Sequence, residues 1–151
     1  MSSDPSSSPD RQERELGATL APKFDDKGLV TAIAIDAVTK DVLMLAFMNE
    51  EAFRLTVETG IAHYFSRSRG MLWKKGETSG ELQAVEEIRL DCDQDAVLLA
   101  VRVAGRGSAC HNGFKSCFYR KLEGIGGPAG QARLSTVDKP LVDPSTLYGG
   151  R

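Results

Sequence analysis

The stretch that most limits the fold is AVLLAVRVA, from Ala96 to Ala104, nine residues interrupted only by Arg102. An apolar run this short, and rich in β-branched and aliphatic side chains, suits a strand covered on both faces. The chain on either side of it is polar and rich in potential ligands. Between Asp91 and Cys117 lie all three cysteines, one of the two histidines, and three aspartates spaced two apart. A buried strand therefore separates two clusters of chemically active side chains.

Other segments supply the elements that could cover it. LVTAIAID (Leu29 to Asp36) and VLMLAFM (Val42 to Met48) read as strands joined by a short turn, hence a hairpin. Asn49 is positioned as an N-cap, Glu50 and Glu51 fall in a first helical turn, and Gly60 stops the helix EEAFRLTVET. IAHYFSRS reads as a strand, RGMLWKKGETSGE as a loop-rich segment, and Leu82 to Asp91 as extended chain. CFYRKL, from Cys117, is expected to add one more short strand. The fold class is α+β and β-rich: a mixed, twisted or pseudo-barrel sheet with one or two helices. So few strands do not close comfortably around a ligand, and dimerisation would ease that.

A chain of 151 residues with 41% hydrophobic and 26% charged residues has the composition of one soluble domain. Residues 1–15 hold almost nothing to bury and are expected to form a disordered leader, ahead of a domain over 16–122. The Gly- and Pro-punctuated remainder, 123–151, is expected to be a weakly structured tail. No secretory signal or membrane-length apolar run is visible, so a cytoplasmic location and no membrane partner are expected. The formal charge of −2 and pI near 5.7 give no bulk reason to expect nucleic acid as a partner.

If Asp91 to Asp95 were extended, Asp91, Asp93 and Asp95 would share one face, and a hard divalent cation would relieve their repulsion. An EF-hand is excluded, because Ala96 stands where glycine is required and Arg102 where the bidentate glutamate is required. A polar turn between strands is the alternative. Cys92, Cys110 and Cys117 lack the close pairing of a zinc finger. Three thiolates would still suit a zinc with an open fourth position, and zinc lowers the pKa of a bound water to about 7. Three buried free thiols are the competing reading. His111 adjoins Cys110 and is placed to move protons rather than to bind the same metal. Arg67, Arg69, Lys75 and Ser79, among glycines, could contact phosphates, or form a solvated basic turn. Trp73 could stack on a purine or simply pack. His63, inside a strand pattern, reads as structural.

Three blocks, FSRSRGMLWKKGETSG, DCDQDAVLL and ACHNGFKSCF, occur in this order, and together the chain from about Leu29 to Leu122 resembles the phosphoribosyl-AMP cyclohydrolases of histidine biosynthesis. The resemblance implies hydrolytic opening of the N1–C6 bond in the adenine ring of phosphoribosyl-AMP, a small nucleotide. It implies one zinc per subunit on Cys92, Cys110 and Cys117, and magnesium on Asp91, Asp93 and Asp95. It also implies an intertwined homodimer with active sites shared between subunits, so that Cys92 need not reach its own chain's Cys110 and Cys117. The family often carries Asn or His where this chain has Glu81, and a carboxylate beside phosphates is unfavourable without a shielding cation. Glu81 is therefore left outside the site. The 29 residues after Leu122 are too few for a fused pyrophosphatase domain, so one activity is expected. A zinc deaminase is disfavoured because the H-x-E and P-C-x-x-C signatures are absent. The remaining alternatives are a zinc-stabilised nucleotide-binding module and an inactive family member.

Overall fold

The computed structural model describes residues 9–146. Its centre is a four-stranded mixed sheet in the order β2-β1-β6-β5. Strand β1 (Val30–Asp36) pairs antiparallel with β2 (Val42–Met48) and parallel with β6 (Ala96–Val103), which pairs antiparallel with β5 (Gln83–Leu90). A parallel neighbour cannot be reached by a hairpin. The chain between β2 and β5 makes the crossover, through helix α2 (Glu50–Thr59) and a small ribbon of β3 (His63–Ser66) and β4 (Met71–Lys74). The sheet stays open, with β2 and β5 as its edges, so the pseudo-barrel expectation is corrected to an open mixed sheet. The apolar run does occupy the interior position that its composition demanded.

One face of the sheet carries the core. Val30, Ala32 and Ala34 of β1 join Val97, Leu99 and Val101 of β6, under Ala52 and Phe53 of α2 and Tyr64 of β3, all buried. Both alanines of β1 have no exposed surface, which allows the crossover elements to approach the sheet closely. Helix α2 has the caps expected of it. The Asn49 side chain accepts from the Ala52 N–H, and Gly60 closes the helix at φ 72°, a conformation glycine adopts without strain.

The other face is apolar and only half covered. Register places Ile33 of β1 beside Leu45 of β2 and Leu98 of β6, with Thr31 beside Phe47 and Ile35 beside Ala100. Leu45 is 48% exposed, and Leu98 keeps part of its surface open. Coverage of the central strand on both faces is thus incomplete within one chain.

Three sequence expectations need revision. Part of the supposedly disordered leader is helical: α1 (Arg11–Leu16) is capped by Asp10, whose side chain accepts from the Glu13 N–H. Residues 1–8 lie outside the described residues. Helix α1 and the chain after it are held down by Gln94, whose amide donates to the carbonyls of Arg14 and Thr19 and accepts from the Ala21 N–H. Those contacts come from a residue distant in sequence, which local composition does not encode. Secondly, the loop-rich segment contains β4, paired with β3 through a turn ending at Gly70. Thirdly, CFYRKL becomes a strand only at Arg120: β7 (Arg120–Glu123) pairs with β8 (Arg133–Thr136) in an exposed hairpin within the expected weak tail. Short 3-10 turns occur at Ala129–Gln131 and Pro144–Thr146.

Leu99 sits in the middle of the covered face with no exposed surface. Leu99→Ala is expected to cost about 2–5 kcal/mol, from lost burial plus an unfilled cavity. Denaturant unfolding of the full-length protein would show this as a lower midpoint with an unchanged slope.

Candidate active site

The turn joining β5 to β6 carries Asp91, Asp93 and Asp95. It is not the extended segment that the alternation implied. Gln94 takes φ 60°, and the Asp91 carboxylate folds back to accept from the N–H groups of Asp95 and Ala96 at 2.9 and 3.0 Å. The turn still converges the carboxylates: one oxygen from each lies within 4.8 Å of the others. Close approach has an electrostatic consequence. Hydrogen bonding to Asp91, then to Asp93, pushes the Asp95 carboxyl up to about 6, whereas Asp91 is held below its ordinary range.

Cys92 is exposed on the same turn, whereas Cys110 is buried in the loop that follows β6. Cys117 backs onto the outer edge of β2, where its N–H donates to the Leu43 carbonyl at 2.7 Å. Cys117 is exposed over the residue as a whole, yet enough protein surrounds its thiol to push it up to about 11. The neighbouring Cys110 sulfur adds to that rise, and the Lys75 charge opposes it. A thiol so reluctant to ionise is a poor nucleophile at neutral pH, and it would bind a metal only by giving up its proton. Lys75 shows the reciprocal effect: burial holds its ammonium below the ordinary range, while the two cysteines and Glu81 pull it back up.

Cys110 and Cys117 therefore form a pair that Cys92 does not join. Leu43 is level with Leu99 and Ala100, whereas Cys92 precedes Ala96. Two strand spacings and about four residues of rise separate the positions, on the order of 15 Å. Among the described residues, the aspartate triad is the one group of three or more Asp, Glu, Cys or His side chains that converges to metal-binding distance.

Beside the cysteine pair lies a groove of about 860 Å³, lined by Arg69, the chain from Met71 to Ser79, and His111. It gathers Arg69, Trp73, Lys75, Ser79 and His111 from the sequence-derived set. Arg67 is not among them; its guanidinium lies over the Phe47 ring, 4.0 Å from the centroid. Trp73 tilts against Tyr64, with centroids 5.2 Å apart, and the Lys75 ammonium stands 5.5 Å from the Trp73 ring centroid. Tyr64 was not singled out in the sequence. It is wholly buried, donates to Gln83 Oε1 at 2.7 Å, and burial raises its phenol. His63 does not line the groove: its backbone N–H donates to Thr56 Oγ1, and its Nδ1 lies 2.8 Å from the Ile61 carbonyl.

Glu81, left outside the site in the sequence reading, does not line the groove. Its carboxylate is buried in backbone, with the residue 1% exposed. It accepts from the N–H groups of Arg106, Gly107 and Ser108 at 3.0, 2.8 and 3.3 Å. The concern over a carboxylate facing phosphates does not arise. Its placement is local: Gly80 at φ 83° turns the chain so that residue 81 faces inward.

A cationic groove beside a histidine and a cysteine pair, with a converging acidic turn elsewhere on the chain, offers groups that can hold a small anionic molecule and move protons on it. The chain belongs to the phosphoribosyl-AMP cyclohydrolase family, whose model matches residues 44–119. A phosphoribosyl-AMP cyclohydrolase of Sinorhizobium fredii is 54% identical over 145 residues, covering 95% of this chain and 93% of the relative. One of a Caulobacter species is 63% identical over 76% of this chain and 85% of its own. That of Brucella anthropi is 61% identical over 81% and 86%. No helix among the described residues is long and apolar enough to cross a membrane.

A divalent cation, if held at the acidic turn, would compete with protonation of Asp95. Because that carboxyl lies near 6, above the range of an unfolded aspartate, the proton binds the folded form more tightly. The metal-free turn thus loses stability as pH rises through 6, and cation binding gains in the same window. Manganese titrations followed by electron paramagnetic resonance should show affinity falling about tenfold per pH unit below 6 and levelling above it.

Proposed function

We propose that this chain hydrolyses phosphoribosyl-AMP in histidine biosynthesis, opening the adenine ring at its N1–C6 bond in a zinc-dependent reaction. The observation that carries the reading is the groove: it brings Arg69, Trp73, Lys75, Ser79 and His111 together beside the Cys110–Cys117 pair. A cytoplasmic location accords with three cysteines that form no disulfide.

The donor set fits the metals that the family implies. Cys92, Cys110 and Cys117 would hold zinc, one per subunit, and three thiolates leave a coordination position for the reaction. Asp91, Asp93 and Asp95 would hold magnesium, an all-oxygen site suited to a hard cation that retains waters and substrate phosphate. When bound, zinc supplies the acidity that makes water nucleophilic near neutral pH.

The chain's own residues do the rest. Arg69, Lys75 and Ser79 bind the phosphate end of the substrate, and Trp73 offers a face to the purine. N1 substitution makes C6 electrophilic. Water adds there, and His111 takes one of its protons. The tetrahedral centre then collapses: the C6 hydroxyl releases its remaining proton to solvent, His111 delivers the proton it took to N1, and the N1–C6 electron pair leaves with N1. C6 becomes the carbonyl carbon of a carboxamide, and N1 remains in a formimino group. Remote binding energy at the phosphates is thereby spent on orientation at C6.

The separation of Cys92 from the other cysteines supports a homodimer with sites shared between subunits. A second copy that brings its Cys92 to this chain's cysteine pair also brings its aspartate triad to the groove. The half-covered face around Ile33, Leu45 and Leu98 provides apolar area for such an association.

Turnover of phosphoribosyl-AMP, followed by ultraviolet absorbance, should be abolished by a chelator and restored by zinc; no turnover by the zinc-loaded dimer would sink the reading. Cys110→Ser should lose zinc and activity together. His111→Ala should keep the metal and lose about 10²–10⁴ in kcat. Refolding equal amounts of Cys92→Ser and Cys110→Ser together should restore about a quarter of wild-type activity, because half the dimers then hold one intact site of two. Inactivity of that mixture, with mixed dimers present, would exclude sites shared in this way.

A further inference from the structure

We propose that Glu81 is a positioning residue: its buried carboxylate fixes the loop bearing Cys110 and His111 against the basic wall of the groove. The inference rests on the roles given above to Cys110 and His111.

The groove has two walls, and they leave the sheet as neighbours. One runs from the end of β4 through Lys75 and Ser79 into β5, and the other leaves β6 through Ala104 toward Cys110 and His111. Pairing of β5 with β6 continues outward to the Ala104 N–H donating to the Leu82 carbonyl at 2.7 Å. Beyond that bond, regular strand pairing stops. Glu81 takes over there, reaching from the first wall to three successive backbone N–H groups of the second. Arg106 adds an ion pair, its Nε 3.5 Å from Glu81 Oε1.

The second wall is shaped around this carboxylate. Gly105 takes φ 67°, and a Cβ there would come within 2.9 Å of Glu81 Oε2. Ser108, whose N–H donates to Glu81, sends its own hydroxyl to the carbonyls of Cys110 and Phe114, both at 2.9 Å. The Cys110 N–H in turn donates to the Phe114 carbonyl at 3.1 Å. A continuous series of hydrogen bonds therefore runs from Glu81 to the backbone of the cysteine beside His111. A carboxylate is well suited to its start, because it only accepts and faces only donors.

Glu81→Gln keeps the size but turns one acceptor into a donor facing buried N–H groups. Glu81→Asp keeps the charge but falls one methylene short. Three measurements on the full-length dimer test the role. With zinc and magnesium loaded, either variant is expected to lower kcat about tenfold or more while KM changes less than about threefold, since phosphate contacts remain and His111 is misplaced. In zinc-free protein, Cys110 is expected to alkylate about tenfold faster than in wild type, read residue by residue by mass spectrometry. Circular dichroism reports whether the fold persists. Wild-type kcat in both variants, or Cys110 as protected as in wild type, would overturn the proposal. Loss of the fold in both variants would make Glu81 a folding determinant and overturn it equally. Failure of wild-type protein to turn over substrate strikes at the proposed function instead, and the alkylation of Cys110 then still decides the role of Glu81.

Discussion

The parallel pairing of β1 with β6 sets the terms for the rest of the molecule. It puts the apolar run at the centre of the sheet and forces a long crossover, which becomes the helix and ribbon that bury one face. It also settles where the cysteines go. The turn that precedes β6 and the loop that follows it are directed to different parts of the sheet, so one chain keeps Cys92 apart from Cys110 and Cys117. Packing that stabilises the protomer thereby does not bring its three thiols together. The apolar area left on the other face has the same origin, since the crossover covers only one side.

Polar groups inside this framework are few and fully engaged. Among the described residues, no buried side-chain nitrogen or oxygen lacks a hydrogen-bond partner. Tyr64 donates to Gln83, Gln83 donates to Met44 Sδ, and Thr56 bonds both within α2 and to β3. These bonds tie the ribbon under the groove to the sheet and helix. Rigidity there matters because the basic groups lie on loops, and loops hold a geometry only as well as their supports do.

What could be read from the sequence divides by range. Strands β1, β2 and β6 and helix α2 follow from local periodicity, Asn49 and Gly60, all signals within one element. Arg69, Trp73, Lys75, Ser79 and His111 were picked out by residue type, and the groove brings those side chains together. Arg67 was misplaced because stacking on Phe47 depends on a strand twenty residues earlier in the chain. Glu81 was left outside the site without a role, because its partners are backbone groups that carry no sequence signature. The acidic segment stayed open between an extended stretch and a polar turn, because alternation of side chains says nothing of a left-handed residue such as Gln94 in its midst.

Gln94 also bears on the order in which the chain assembles. Its bonds to Arg14, Thr19 and Ala21 span 80, 75 and 73 residues of sequence. Closing a loop of that length in an unfolded chain costs about 4 kcal/mol in entropy, more than three hydrogen bonds at about 1 kcal/mol each return. Once Thr31 has paired with Ala96, however, only about ten residues of slack separate the docked sheet from Ala21, and the cost falls to about 2 kcal/mol. The N-terminal segment is thus a late arrival in folding, seated by a sheet that is already complete.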